Sequence, residues 1–249
     1  MLYATMTFWM LVIVFLAHGI YTLWTNLAKP RVINTVLLPG TLIAQLGHIV
    51  GLLITGGTVQ DTTLIKDNKT AEPTTTPDPQ PKIPVVGPIV VAMLPLLSCG
   101  FFVHLVLQTL GANIQTTAGE FLVRETLPKN LPEFWDLLRH TITVVEHITA
   151  AILNSNFHQW ETWAFVYLII CLTVRMAPLP GSQRGAIGAI LVLGALAAVI
   201  GLATQIPQEK IHQVWNLLSF SVAVLLFLMI VTLVVYGGVS RVKVFTQSK

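Results

Sequence analysis

Apolar and polar positions alternate along this chain in long blocks. Five apolar runs, at about 3–25, 33–57, 83–111, 185–206 and 213–237, each reach the roughly 20 residues needed to cross a bilayer as a helix. A sixth, at about 161–177, is at the short limit and carries Trp160, Trp163 and Tyr167 at one end, where aromatic side chains anchor to a membrane interface. Residues 133–154 follow another rhythm. Leu138, Ile142, Val145, Ile148 and Ile152 recur at helical spacing, and Asp136, Arg139, His140, Thr143, Glu146 and His147 fall opposite them. This pattern predicts an amphipathic helix at the membrane surface or capping the bundle. The expected fold is therefore all-α, a single membrane domain over 1–249 with about six crossings and one amphipathic interfacial helix.

Two segments lie outside this bundle. Residues 58–82 are rich in Thr and Pro, which build no packed element, and predict an extramembrane loop. Residues 112–160 predict a second loop holding the amphipathic helix. Pro84, Pro88 and Pro95 punctuate the third run and predict a kink. The glycine pairs Gly56-Gly57 and Gly237-Gly238 read as helix ends. Gly185, Gly188, Gly194 and Gly201 read as close helix packing.

Composition agrees with the pattern. Of 249 residues, 54% are hydrophobic and 10% charged, with mean hydropathy +0.74, against about 25% charged in soluble domains. The first run is too long for a signal-peptide core and no small-residue cleavage site follows it, so it is expected to stay as a spanning helix. Cys99 and Cys171 both lie in apolar runs and read as small buried side chains. The net charge of +3 is spread out, and no basic cluster with interleaved aromatics points to nucleic acid.

Charge does not orient a six-crossing chain. Lys66, Lys69, Lys82, Arg175, Arg184, Arg241, Lys243 and Lys249 would face one side, and Lys29, Arg31, Arg124, Lys129, Arg139 and Lys210 the other. If residues 133–154 cross as well, only Lys66, Lys69, Lys82 and Lys210 lie outside and the other ten cations lie inside, as the positive-inside rule favours. Periodicity favours the surface and charge favours a further crossing.

The stretch Thr35–Val59, TVLLPGTLIAQLGHIVGLLITGGTV, places Gln45 and His48 near the middle of an apolar helix, where polar groups are costly. Its flanks are Leu38-Pro39-Gly40, Leu46-Gly47-His48 and Gly56-Gly57-Thr58-Val59, and Trp160-Glu161-Thr162-Trp163 leads through Tyr167 to Met176-Ala177-Pro178. In these features the chain resembles the site-2 protease family of intramembrane metalloproteases and their relatives. The resemblance implies a zinc helix with the motif H-E-x-x-H, in which two histidines four apart bind zinc and the glutamate activates water. Here that pentad reads Ala44-Gln45-Leu46-Gly47-His48. Ala44 cannot bind metal, and Gln45 cannot take a proton from water. The acidic residue the resemblance implies after Pro178 is missing from Leu179 to Arg184. One histidine cannot hold a catalytic zinc, which takes about three protein ligands.

The resemblance thus implies a catalytically inactive relic with no cofactor, serving as a scaffold or accessory subunit of an assembly in a bacterial-type inner or plasma membrane. Its partners would be other membrane subunits and lipid. By chemistry alone, His48 could equally be a packing residue hydrogen-bonded to Gln45 or to another helix. A different class uses His18, His48 and His104, on three separate helices, as haem or metal ligands. A small transporter is a further class, with Pro39-Gly40 and Pro95 as helix breaks and Glu146 and His147 as proton carriers if their helix crosses.

Overall fold

The computed structural model describes residues 2–57, 61–63, 74–76, 86–111, 130–155, 158–176, 187–192, 194–195 and 208–247. Helices α1 (Leu2–Leu27), α2 (Pro30–Val36), α3 (Leu38–Ile54), α4 (Val86–Leu110), α5 (Leu131–Asn154), α6 (Trp160–Val174) and α7 (Gln208–Gln247) account for almost all of them. A further helical segment covers 187–192. Much of the expected 185–206 run, the end of the Met176-Ala177-Pro178 motif and all of 112–129 lie outside the described residues.

The fold is helical, as the block pattern predicts. Tyr3–Leu27, Val86–Leu110 and Val214–Arg241 are each long and apolar enough to cross a membrane. The bent pair Pro30–Val36 and Leu38–Ile54 makes a fourth if it counts as one span. This is the composition of an integral membrane protein. By length and apolarity alone, the six expected crossings come down to three or four among the described residues.

Two details of the sequence reading are corrected. The 58–82 segment is not all loop, because strands β1 (Asp61–Thr63) and β2 (Thr74–Thr76) pair antiparallel with Asp61 opposite Thr76. β-Branched threonines tolerate the extended backbone that such a ribbon needs. Gly237 and Gly238 end nothing. They lie inside α7, which at 40 residues is about 60 Å long. The other pair behaves as expected. Gly56 adopts φ 76°, its N–H donates to Leu53 O, and the Gly57 N–H donates to Leu52 O at 2.7 Å. Those two bonds close α3 as a Schellman end.

Helix α5 is amphipathic, and its buried stripe keeps the expected Ile148, with Val145 half-buried against the core, but departs from the expectation at Ile142. Thr141, Val144, Ile148, Ala151 and Ser155 are buried, whereas Ile142 is 62% exposed. Of the other expected apolar positions, the side chains of Leu138 and Ile152 lie outside the described residues. The buried hydroxyls cost little here, since Ser155 Oγ donates to Ala151 O one turn back at 2.6 Å. The stripe packs on α7 and faces α6 across a cavity. Ile148 and Ala151 line an apolar cavity of about 50 Å³ with Phe165, Ile169, Val224 and Leu228.

Contacts also fix helix directions. Trp9 stacks on Trp215 with centroids 5.7 Å apart, Gly19 lies against Met229, and Trp24 Nε1 donates to Thr232 Oγ1 at 2.9 Å. Partner numbers rise together, so α1 and α7 run parallel. Val14 packs beside Ala189 and Ile190, and Thr7 lies against Gly194, so that segment runs antiparallel to α1.

Candidate functional site

Helix α3 carries the Ala44–His48 pentad, and its origin is a break. Pro39 lacks the N–H that would bond Thr35 O, and the chain bends by 77° between α2 and α3 at Leu37. A break inside lipid must have its freed backbone groups satisfied from elsewhere. Helix α6 does this. Tyr167 Oη donates to Val36 O at 2.7 Å, and Cys171 Sγ donates to the same oxygen at 3.4 Å.

Beside the break lies a polar node. The Asn34 side-chain oxygen accepts from Tyr21 Oη at 3.0 Å and from Arg175 Nη2 at 2.6 Å. The guanidinium also sits over the Tyr21 ring, 5.1 Å from its centroid. Arg175 is 6% exposed, and its Nε has no hydrogen-bond partner. Cys99 Sγ contacts Arg175 O at 3.8 Å. The node thus ties α1, α2, α4 and the end of α6 around one buried cation. Among the described residues it holds donors and acceptors but no carboxylate, an arrangement suited to positioning rather than to acid–base chemistry.

Beyond the break, the faces of α3 are spent on packing. A Cβ at Gly40 would run into the Cys171 carbonyl of α6. One at Gly47 would lie 2.6 Å from Leu94 O and against Ser98 Oγ, and one at Gly51 would lie 3.0 Å from Val91 Cα. Gly47 and Gly51 form a G-x-x-x-G seam on which α4 closes at backbone distance. The paired positions run in opposite order, so α3 and α4 are antiparallel. Ser98 Oγ, one turn past the predicted kink residue Pro95, donates to Ile43 O at 3.0 Å across this seam.

The residues of the pentad sit within that packing. Ala44 and Gln45 are buried, and His48 is half-buried. Gln45 Oε1 has no hydrogen-bond partner, so it does not accept from His48. A buried amide oxygen without a partner costs about 1–3 kcal/mol. Gln45→Met keeps the volume and removes that cost, and is expected to raise stability by about 1 kcal/mol. Thermal unfolding of the purified protein in detergent would register the gain, and a loss would mean that Gln45 makes a bond that matters.

His18 and His104 are exposed on α1 and α4, and the amide nitrogen of Gln108, one turn on, lies 3.0 Å from His104 Nε2. Among the described residues, no three His, Cys, Asp or Glu side chains come together in a group that could hold a metal ion.

The node itself was legible only in part. Arg175 stands in an apolar run, where an ionisable residue signals a site, yet the sequence reading counted it as a loop charge. Asn34 and Tyr21 carry no local signal, because their partner lies 141 residues from Asn34. Comparison of the chain with protein-family models, with curated proteins and with solved structures finds no match.

Proposed function

We propose that the chain is a seven-crossing membrane protein with a non-catalytic role, a scaffold or accessory subunit that holds partner helices. The observation that carries the non-catalytic half is the closure of α4 on Gly47 and Gly51. The helix that would present a metal to a substrate has given that face to its neighbour. Gly40 commits α3 to α6 in the same way, and Tyr167 of α6 is engaged at the break. What α3 leaves open is an apolar stripe of Leu42, Leu46, Val50 and Leu53, suited to lipid or to another helix.

The crossing number rests on direction. Spans alternate, so an even count would make the first and last antiparallel, and α1 and α7 are parallel. We therefore propose an odd number in place of six. Helices α5 and α6 join through the short 155–159 connection, and Ile148, Ala151, Phe165 and Ile169 line one cavity. Both helices face the middle of α7 around that cavity. Counting α5 as a crossing gives seven, and it is the arrangement that places ten cations inside against four outside. Reporter fusions should place the two termini on opposite sides of the membrane. Finding both on one side would sink the count.

The non-catalytic reading is tested by counting zinc and iron in the detergent-purified protein and in His48→Ala. Metal well below one atom per chain in both is the expected result. Near-stoichiometric zinc that vanishes in His48→Ala would return the chain to the metalloproteases. Near-stoichiometric iron with a haem spectrum would favour His18, His48 and His104 as ligands.

A further inference from the structure

We propose that α7 bends at Gly237-Gly238 and that its last turns, residues 239–247, lie along the membrane surface on the phosphates of anionic lipid. The inference rests on α7 crossing the membrane, and neither on the number of crossings nor on whether α3 is catalytic. The apolar part of α7, Val214–Arg241, has 28 residues. At 1.5 Å each it is about 42 Å long, against a hydrocarbon core of about 30 Å. Tilting does not absorb the excess, because any tilt is shared with α1, whose apolar span Tyr3–Leu27 is shorter. Trp9 stacks on Trp215 and Trp24 bonds to Thr232, so residues 9 to 24 of one helix match 215 to 232 of the other. The end of α1 at Leu27 is therefore level with about residue 235 of α7, and Lys29 and Arg31 follow at once. Charges at a helix end mark where the lipid tails stop. Helix α7 nevertheless runs on to Gln247, about 18 Å past that level.

The glycine pair lies just beyond this exit. Glycine is the weakest helix former after proline, and sharp helix bends fall at such pairs. A Cβ at either position would meet nothing within 4 Å, so packing does not call for glycine there. Every residue from Leu233 to Arg241 is exposed, so no described element braces the helix beyond the exit. The register past the pair is amphipathic. Val235, Val239, Val242 and Phe245 recur at steps of four, three and three and share one side. Arg241 and Lys243 flank that side, each about 100° from its middle, with Ser240 and Val244 opposite. Cations on both flanks of an apolar stripe suit a helix lying in a headgroup layer, stripe toward the acyl chains. The sign of the charge names the lipid. Residues 28–36 and 236–247 meet at this end of α1 and α7, and hold Lys29, Arg31, Arg241 and Lys243 with no Asp or Glu. Anionic phosphates draw each of these cations, and the span of α7 keeps residues 239–247 within their reach.

The test uses the full chain in lipid nanodiscs, where both membrane faces are open to solvent. Cys99 and Cys171 are buried, so a single new cysteine carries the nitrobenzoxadiazole probe. Thr246 shares the apolar side by register and Ser240 lies opposite, and along a straight helix Thr246 stands about 9 Å farther from the membrane. In discs of phosphatidylcholine with phosphatidylserine, the probe at Thr246→Cys should resist iodide quenching more than the probe at Ser240→Cys. A straight helix gives the reverse order. Adding Arg241→Gln and Lys243→Gln should lower the ratio of protected to quenched probe at 246 about thirtyfold, about fivefold for each cation. Adding Gly237→Ala and Gly238→Ala should expose the probe as well. A probe at Ile230→Cys, exposed within the span, separates the ways of failing. Quenching there would place α7 outside the membrane and overturn the premise together with the proposal. Protection at 230, with Thr246→Cys quenched at least as fully as Ser240→Cys, overturns the surface helix alone. Protection at 246 that persists in phosphatidylcholine alone, or in the glutamine variant, assigns the stripe to another part of the protein and overturns the lipid contact. Protection that persists in the alanine variant overturns the bend.

Discussion

Replacing Asn34 with leucine is expected to destabilise the protein by about 3 kcal/mol, the cost of leaving a buried charged donor without its acceptor. The substitution takes away the acceptor of both Arg175 Nη2 and Tyr21 Oη and leaves a cation that is 6% exposed without its amide acceptor. The cost is one of stranding a charge, and two further variants separate it from lost packing. Arg175→Met removes the charge and is expected to be near neutral, because apolar groups of similar volume replace buried ionic networks at little cost. In Asn34→Leu with Arg175→Met, most of the loss should return, with the hydroxyl of Tyr21 the remaining unsatisfied group. Asn34→Asp tests the sign directly, since it supplies the carboxylate the node lacks and should be at least as stable as the wild type. The readout is the double-mutant coupling from thermal unfolding in detergent. Equal losses in Asn34→Leu and in the double variant would show that Asn34 acts by shape alone.

What could be read from the chain divides at the same place. The long helices were legible because the length of an apolar run is a local property, and Gly56-Gly57 was legible because a helix end selects glycine at the left-handed position. Gly237-Gly238 has the same letters in the interior of α7, and only the surroundings tell the two pairs apart. Helical period finds α5 and the middle of its buried stripe at Val145 and Ile148 but misses part of it, since Thr141 and Ser155 read as polar in sequence and yet are buried, Ser155 bonding to its own backbone. Pro39-Gly40 announced a break in the second span. The groups that satisfy it, Tyr167 and Cys171, lie 131 and 135 residues from Val36 and left no local trace. The pentad was read for the metal chemistry it resembles. In the fold, its Gly47, with Gly51 beyond it, is what brings α4 close.

That closeness makes Gly47→Val the second large effect to expect. The ideal Cβ at Gly47 falls 2.6 Å from Leu94 O and 2.9 Å from Leu94 C, so the obstacle is backbone and cannot turn aside. Inserting methyl groups into a packed interior costs about 1–3 kcal/mol when side chains can adjust, and the rigid wall here sets the expectation at or above the top of that range. Separating α3 from α4 also pulls Ser98 Oγ from Ile43 O, leaving its bond to Pro95 O within its own helix. Gly40→Val should be as damaging against the Cys171 carbonyl, because it pushes away the helix that satisfies Val36 O. The control is Gly237→Ala, where nothing lies within 4 Å of the new Cβ and alanine is the better helix former by about 1 kcal/mol. Thermal unfolding and size-exclusion profiles in one detergent should rank Gly237→Ala at or above wild type, with Gly47→Val and Gly40→Val far below. If the three glycines proved equally tolerant, α3 and α4 would not meet at backbone distance, and the face bearing Gly47 would again be open to a ligand.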